Sequence, residues 1–169
     1  MKTTEVKLYS LNYSEIRTYL FGLLFVAGNI ILPQCCHLIP QGGLTWLPIY
    51  FFTLIGAYKF GWKVGLLTAL LSPLVNSLAF GMPAAAMLPG ILLKSCVLAG
   101  TAAFIARRYQ KVSLGLLLAV VLGYQIIGTL GEWLICGDIW TAFQDFRIGL
   151  PGMAVQVIGG YLFIKYWKY

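Results

Sequence analysis

Residues 86–111, AMLPGILLKSCVLAGTAAFIARRYQK, decide the fold class. From Ala86 to Ala106 the run is apolar apart from small polar residues and Lys94, and it stops at Arg107-Arg108-Tyr109-Gln110-Lys111. About 20 apolar residues in helical form cross a hydrocarbon layer of about 30 Å. Lys and Arg beside such a span mark its cytoplasmic end. The stretch therefore predicts a membrane helix that starts near Pro89 and ends on the cytoplasmic side.

Outward from this helix the same pattern repeats. Apolar runs predict six spans, over about 18–38, 44–58, 61–80, 86–106, 112–135 and 148–165. An amphipathic start (residues 3–16) is expected along the inner surface. The second span is short and suits a tilted or partly re-entrant element. Lys2, Lys7, Arg17, Lys59, Lys63, Arg107, Arg108, Lys111, Lys165 and Lys168 fall in alternate connections. This bias puts both termini in the cytoplasm. All seven prolines (Pro33, Pro40, Pro48, Pro73, Pro83, Pro89, Pro151) lie toward the other side. Proline interrupts a helix, and broken backbone at membrane depth survives only where protein buries it or it lines a cavity. The expectation is an all-α membrane protein with a ligand cavity opening outward. Its outer connections are 39–43, 81–85 and 136–147, of which only the last is long enough for a lid.

Composition agrees. The chain has 169 residues, 60% hydrophobic and 10% charged, with mean hydropathy +0.84. A soluble domain carries about 25% charged residues. One integral membrane domain fills the whole length. The net charge of +7 reads as topology signal plus attraction to anionic headgroups, not as nucleic-acid binding, because the basic residues flank helix ends. The first apolar run begins near Tyr19, is too long for a signal peptide and lacks a small-residue cleavage site, so the N-terminus reads as mature protein. Cys35, Cys36, Cys96 and Cys136 form neither a CxxC nor a zinc pattern; three of them map near the outer face, where a disulfide is conceivable, but buried free thiols are the expectation. Interior glycines allow close helix approach. There is no internal repeat of the kind inverted-repeat carriers show.

Polar residues inside the spans are the candidate functional ones. Lys94 lies about eight residues into the fourth span, roughly 12 Å below its outer boundary. A Lys near a helix centre costs about 2.5–3.5 kcal/mol. Either its stem snorkels or pairs with Glu132, or its ammonium meets a ligand at the cavity floor. Glu132 is Lys94's partner, a ligand contact or an interfacial acid. Asn76 either repairs a proline-broken helix or touches ligand. Gln34 and His37 cluster at the outer end of the first span. Gln125 and Gln156 suit interhelical hydrogen bonds. Trp46, Trp133 and Trp140 fit an aromatic belt, although a flat ligand would also use such walls. The sequence has no GxxxxGK[ST] loop, HExxH or GxSxG motif and no paired intramembrane carboxylates. With five acidic residues, it offers no basis for an enzyme, a metal site or a cofactor.

The run Ser72-Pro73-Leu74-Val75-Asn76-Ser77-Leu78-Ala79-Phe80-Gly81-Met82-Pro83, followed by Met87-Leu88-Pro89, carries a resemblance. It resembles the substrate-binding S components of energy-coupling factor (ECF) transporters, where a Ser-Pro-x-x-Asn helix runs into a Gly-Met-Pro loop. Gly28-Asn29-Ile30-Ile31-Leu32-Pro33 and Leu47-Pro48-Ile49-Tyr50 are similar to the same family. The resemblance implies a six-helix protein of the bacterial cytoplasmic membrane that binds a vitamin or related micronutrient from outside with high affinity. It implies a membrane T subunit and two ATPase subunits as partners, and toppling in the bilayer to release substrate. It points to His37, Trp46, Asn76, Met82, Lys94 and Glu132 for substrate, and Gln34, Gln125 and Trp133 join them as candidates by their place in the spans. Many members dock the T subunit through an Ala-x-x-x-Ala pattern in the first helix. This chain offers Gly22, Ala27 and Gly28 there without that spacing, whereas Ala99/Ala103 and Ala102/Ala106 have the spacing in the fourth span. Many members carry an acid near Lys94's position. A lysine suggests a carboxylate such as biotin, pantothenate, lipoate or nicotinate.

Two rivals remain on the sequence. A rod-shape-determining membrane scaffold has similar size and would need no pocket. A channel or facilitator would need polar residues along a whole path, and the inner halves here are nearly all apolar.

Overall fold

The structure, a computed structural model, describes residues 7–167. The elements in order are α1 (Ile16–Cys36), α2 (Gly42–Trp46), α3 (Phe51–Phe60), α4 (Trp62–Phe80), α5 (Leu88–Tyr109), α6 (Leu114–Cys136), α7 (Ile139–Ile148) and α8 (Leu150–Tyr166). Short 3-10 turns at Pro48–Tyr50 and Ala85–Met87 lead into α3 and α5. There is no strand among the described residues.

Four helical segments are long and apolar enough to cross a membrane: 16–36, 62–80, 85–109 and 114–136. The pair α7 and α8, bent by 51°, makes a fifth if taken as one span. Within the qualifying windows only 33–39% of residues are buried. The rest present Leu20, Leu23, Leu24, Leu78, Phe104, Ile126, Ile127 and Leu134 outward. Apolar surface of that extent is untenable in water and suits lipid. The chain is thus an all-helical protein with several membrane-crossing helices.

The second predicted span takes a different form. It breaks at Leu47, which has a positive φ of 46°, and α3 beyond the break has only 10 residues. At 1.5 Å per residue α3 covers about 15 Å, half a bilayer. Every residue from Thr53 to Phe60 is buried, so α3 is a half-span enclosed by protein. Other helices shield its broken backbone, as the hydrocarbon region demands. α8 comes close to it. A Cβ on Gly152 would lie 2.4 Å from the carbonyl of Trp46, so only glycine lets α8 reach the break. One turn on, Gln156 donates to Leu47 O (3.5 Å) and accepts from Tyr124 Oη (3.0 Å).

The basic ends of the helices gather at one pole. Gly61, at φ +96°, turns α3 into α4, and Gly65 lets α4 pack on Ala57. Lys59 was expected in a solvated inner connection. Instead it is 2% exposed and its ammonium donates to the carbonyls of Ile164 (3.1 Å) and Trp167, at the end of α8. Helix C-termini leave carbonyls unpaired and carry partial negative charge, so a buried lysine is satisfied there. Phe21, Phe25, Phe60 and Trp167 form an aromatic cluster, and the Lys59 ammonium lies 5.9 Å from the Trp167 ring. Residues 7–15 precede the first helix. Tyr9 and Leu11 hydrogen-bond to the carbonyls of Lys59 and Phe60 (2.8 and 3.2 Å), which ties this segment across the pole. The start of the expected amphipathic segment, with Lys2, lies outside the described residues, as does Lys168.

The outer connection expected over 136–147 is largely α7. Asp138 starts it, accepting from the amides of Trp140 and Thr141 (3.0 and 3.3 Å) and from the Thr141 hydroxyl. These bonds, the Thr141 hydroxyl foremost, hold the Asp138 carboxyl below its usual pKa.

Candidate functional site

At the proline-rich pole the breaks in the helices create a chamber. Pro33 lacks an N–H, so the carbonyl of Asn29, four residues back, loses its helical donor. The Asn76 amide supplies one from α4 (2.9 Å) and also donates to Ser72 O (3.0 Å). Asn29 itself donates to Thr53 Oγ1 (3.0 Å) and Ser72 Oγ (3.2 Å) and accepts from Phe52 N (3.1 Å). This buried network fastens α1, α3 and α4 together. Above it the chain opens into a chamber of about 320 Å³. Its walls include Pro33 and His37 from the end of α1, Leu44 and Pro48 from the second-span break, Asn76 from α4, and Met82, Met87 and Ile91 from the approach to α5.

A recess of about 70 Å³ shares the wall formed by Gly43, Leu44, Ile49, Met87 and Ile91, and continues to Tyr50, Glu132, Thr141 and Gln144. Glu132 on α6 forms an ion pair with Lys94 on α5. Two glycines make room for it reciprocally. A Cβ on Gly128 of α6 would lie 2.6 Å from Lys94 Cγ, and one on Gly90 of α5 would lie 2.7 Å from Glu132 Oε1. Each helix thus gives up a side chain where the other inserts its charged one.

The expected site residues separate into three groups. His37, Asn76 and Met82 line the chamber and Glu132 lines the recess. Gln34 stands just behind, donating weakly to Asn76 Oδ1 (3.5 Å). Lys94 lies deeper than expected: it is fully buried behind Glu132 and is not part of either wall. Gln125 is also fully buried, and neither of its amide atoms has a hydrogen-bond partner, so the interhelical bond expected of it is absent. Trp46 and Trp133 are exposed beside the chamber rather than in its walls. Of the docking residues, Gly22 packs on Leu67 and Gly28 on the Phe52 ring, so both serve contacts inside the bundle, while Ala27 faces outward. The four cysteines are free, with Cys35 and Cys136 exposed.

Most of the chamber escaped sequence reading because its walls are aliphatic and proline residues. Leu44, Ile49, Met87 and Ile91 carry no mark that separates them from lipid-facing neighbours. The proline bias was the available signal, and Pro33, Pro48 and Pro83 stand in the chamber wall. A second cavity, of about 410 Å³, opens at the basic pole between Tyr9, Ser10, Trp62, Arg107 and Gln110. No group of His, Cys, Asp or Glu among the described residues could hold a metal ion.

The fold defines the class: a multi-pass helical membrane protein with one chamber at its proline-rich end and a second cavity at the end where most of its basic residues gather. Comparison with protein families, with curated proteins and with solved structures gives no match.

Proposed function

We propose that this chain is the capture subunit of a micronutrient uptake system, working in the bacterial cytoplasmic membrane like an ECF S component. In this reading α2 and α3 together make the second crossing and α8 the sixth. Both termini are cytoplasmic and the chamber faces outward. The observation that carries the reading is the chamber itself. Its volume of about 320 Å³ is at the lower end of small-molecule sites. It is built from interrupted helices, where a bundle serving only as a scaffold would be expected to fill the space. The sequence has no phosphate-binding loop, so transport energy would come from a T subunit and two ATPase subunits. Their docking would use the outward face of α1 around Ala27, since Gly22 and Gly28 are engaged inside.

Native mass spectrometry of the detergent-purified chain, isolated from cells grown in rich medium, tests this. The expected result is a one-to-one adduct of a vitamin-sized molecule that is missing from Ile91→Trp, whose indole fills the shared wall. A folded wild-type protein with no adduct would instead favour a membrane scaffold.

A further inference from the structure

The capture reading says where a molecule binds, and the ion pair says which kind. We infer that the chamber takes a largely apolar molecule whose polar end bears a hydrogen-bond donor and no negative charge, and that Glu132 receives that donor. The inference rests on the capture reading and reverses the expectation, drawn from Lys94, of a carboxylate.

The walls of the chamber are mainly aliphatic, and Asn76 has already committed its amide hydrogens to Asn29 and Ser72. No Lys or Arg lines the chamber or the recess. Arg147 lines a neighbouring cleft with Trp140 and Phe143, which meets the recess at Gln144 but does not bring Arg147 into its wall. Besides the His37 ring in the chamber wall, the ionisable group that a ligand reaches is therefore Glu132. Its side chain keeps 11% of its exposure while that of Lys94 keeps 1%. An entering carboxylate would meet a carboxylate first.

To reach the ammonium, a carboxylate would have to displace Glu132 and leave that charge buried without compensation, which is strongly unfavourable. The reciprocal glycines oppose such a displacement. Glu132 is seated against Gly90 and the Lys94 stem against Gly128, so the pair is a fitted interhelical clasp rather than a loose surface contact. A carboxylate accepts at about four lone-pair sites, and one lysine does not fill them all. An amide N–H, hydroxyl or ammonium arriving through the recess would complete the set.

Matched pairs that differ only at the polar end test the idea: lipoamide against lipoate, biotinamide against biotin, and nicotinamide against nicotinate. Binding is measured by isothermal calorimetry and thermal shift on wild type and Glu132→Gln. For the pair that binds, the donor-bearing member should bind at least about tenfold more tightly, a difference of about 1.4 kcal/mol. In Glu132→Gln that preference should fall to about threefold or less, that is, below about 0.7 kcal/mol. Tighter binding of a carboxylate member overturns the inference and leaves the capture reading standing. Discrimination that survives Glu132→Gln unchanged also overturns it. Binding of none of the six compounds overturns it too, and the capture reading then stands or falls on the adduct experiment. If Glu132→Gln does not fold, the wild-type comparison alone decides.

Discussion

Asn76 donates to two main-chain carbonyls, and one of them is the carbonyl that Pro33 leaves without a donor. Leaving a buried polar group unpaired costs about 1–3 kcal/mol. Asn76→Leu should therefore lower stability in detergent by about that amount. The penalty should shrink when Pro33→Ala restores a backbone N–H for Asn29, and a thermal-unfolding double-mutant cycle measures the coupling. The Lys94–Glu132 clasp gives a second prediction. Lys94→Met leaves Glu132 buried and uncompensated, at a cost of about 3–5 kcal/mol, whereas Lys94→Met with Glu132→Leu should recover most of that loss. Equal destabilisation in the single and double variants would show that packing, not charge, dominates there. The sequence singled out both residues by their polarity inside apolar runs and offered Glu132 as one partner for Lys94, but the bond from Asn76 to Asn29 on α1 had to await the fold. Asn76 could be read only as repair of its own helix at Pro73 or as ligand contact, and the structure shows it serving the Pro33 break of α1 while forming part of the chamber wall. Lys59 misled for the opposite reason: a lysine between two apolar runs looks like a loop charge, and only the arrival of α8 shows that it pairs with carbonyls.

Among the elements, the half-span α3 depends most on its surroundings. Its break at Leu47 is held by Gly152 and Gln156 of α8. Gly152→Ala forces a Cβ against the Trp46 carbonyl and should cost about 1–3 kcal/mol by overpacking. Gly100 and Gly123 meet nothing within 4 Å, so alanine at either should be neutral or stabilise by up to about 1 kcal/mol. Thermal unfolding of the three variants side by side checks the contrast. At α7 the Asp138 carboxyl has a pKa below its ordinary 3.8 in the folded state. A depressed carboxylate pKa contributes stability that is present above the unfolded value and is lost as pH falls through the folded one. Amides of Trp140 and Thr141 should lose hydrogen-exchange protection below about pH 4, where a carboxyl begins to protonate, and Asp138→Asn should flatten that dependence. Long lipid-crossing helices such as α5 and α6 were legible because a run of about 20 apolar residues admits few other readings. α7 was not, because ten residues mixing Trp140, Phe143, Gln144 and Arg147 read as a loop by hydropathy. The short second span was legible as a departure from a full crossing, but its break at Leu47 had no glycine to announce it.

Across the whole molecule, basic residues collect at one pole and interrupted helices at the other. Cys35 and Cys136 are exposed toward the proline-rich pole. With that pole outward, an impermeant maleimide should label both on intact cells, while Arg108→Cys should react only after permeabilisation. Labelling with the reverse sidedness would turn the chamber toward the cytoplasm. Whether the chamber holds a small molecule is read from a map of the protein purified from cells in lipid nanodiscs. Density for one small molecule is expected between Pro33, Met82 and Ile91, its polar end within hydrogen-bond distance of Glu132. Side chains closed over that space, or a lipid acyl chain filling it, would rule out a capture chamber.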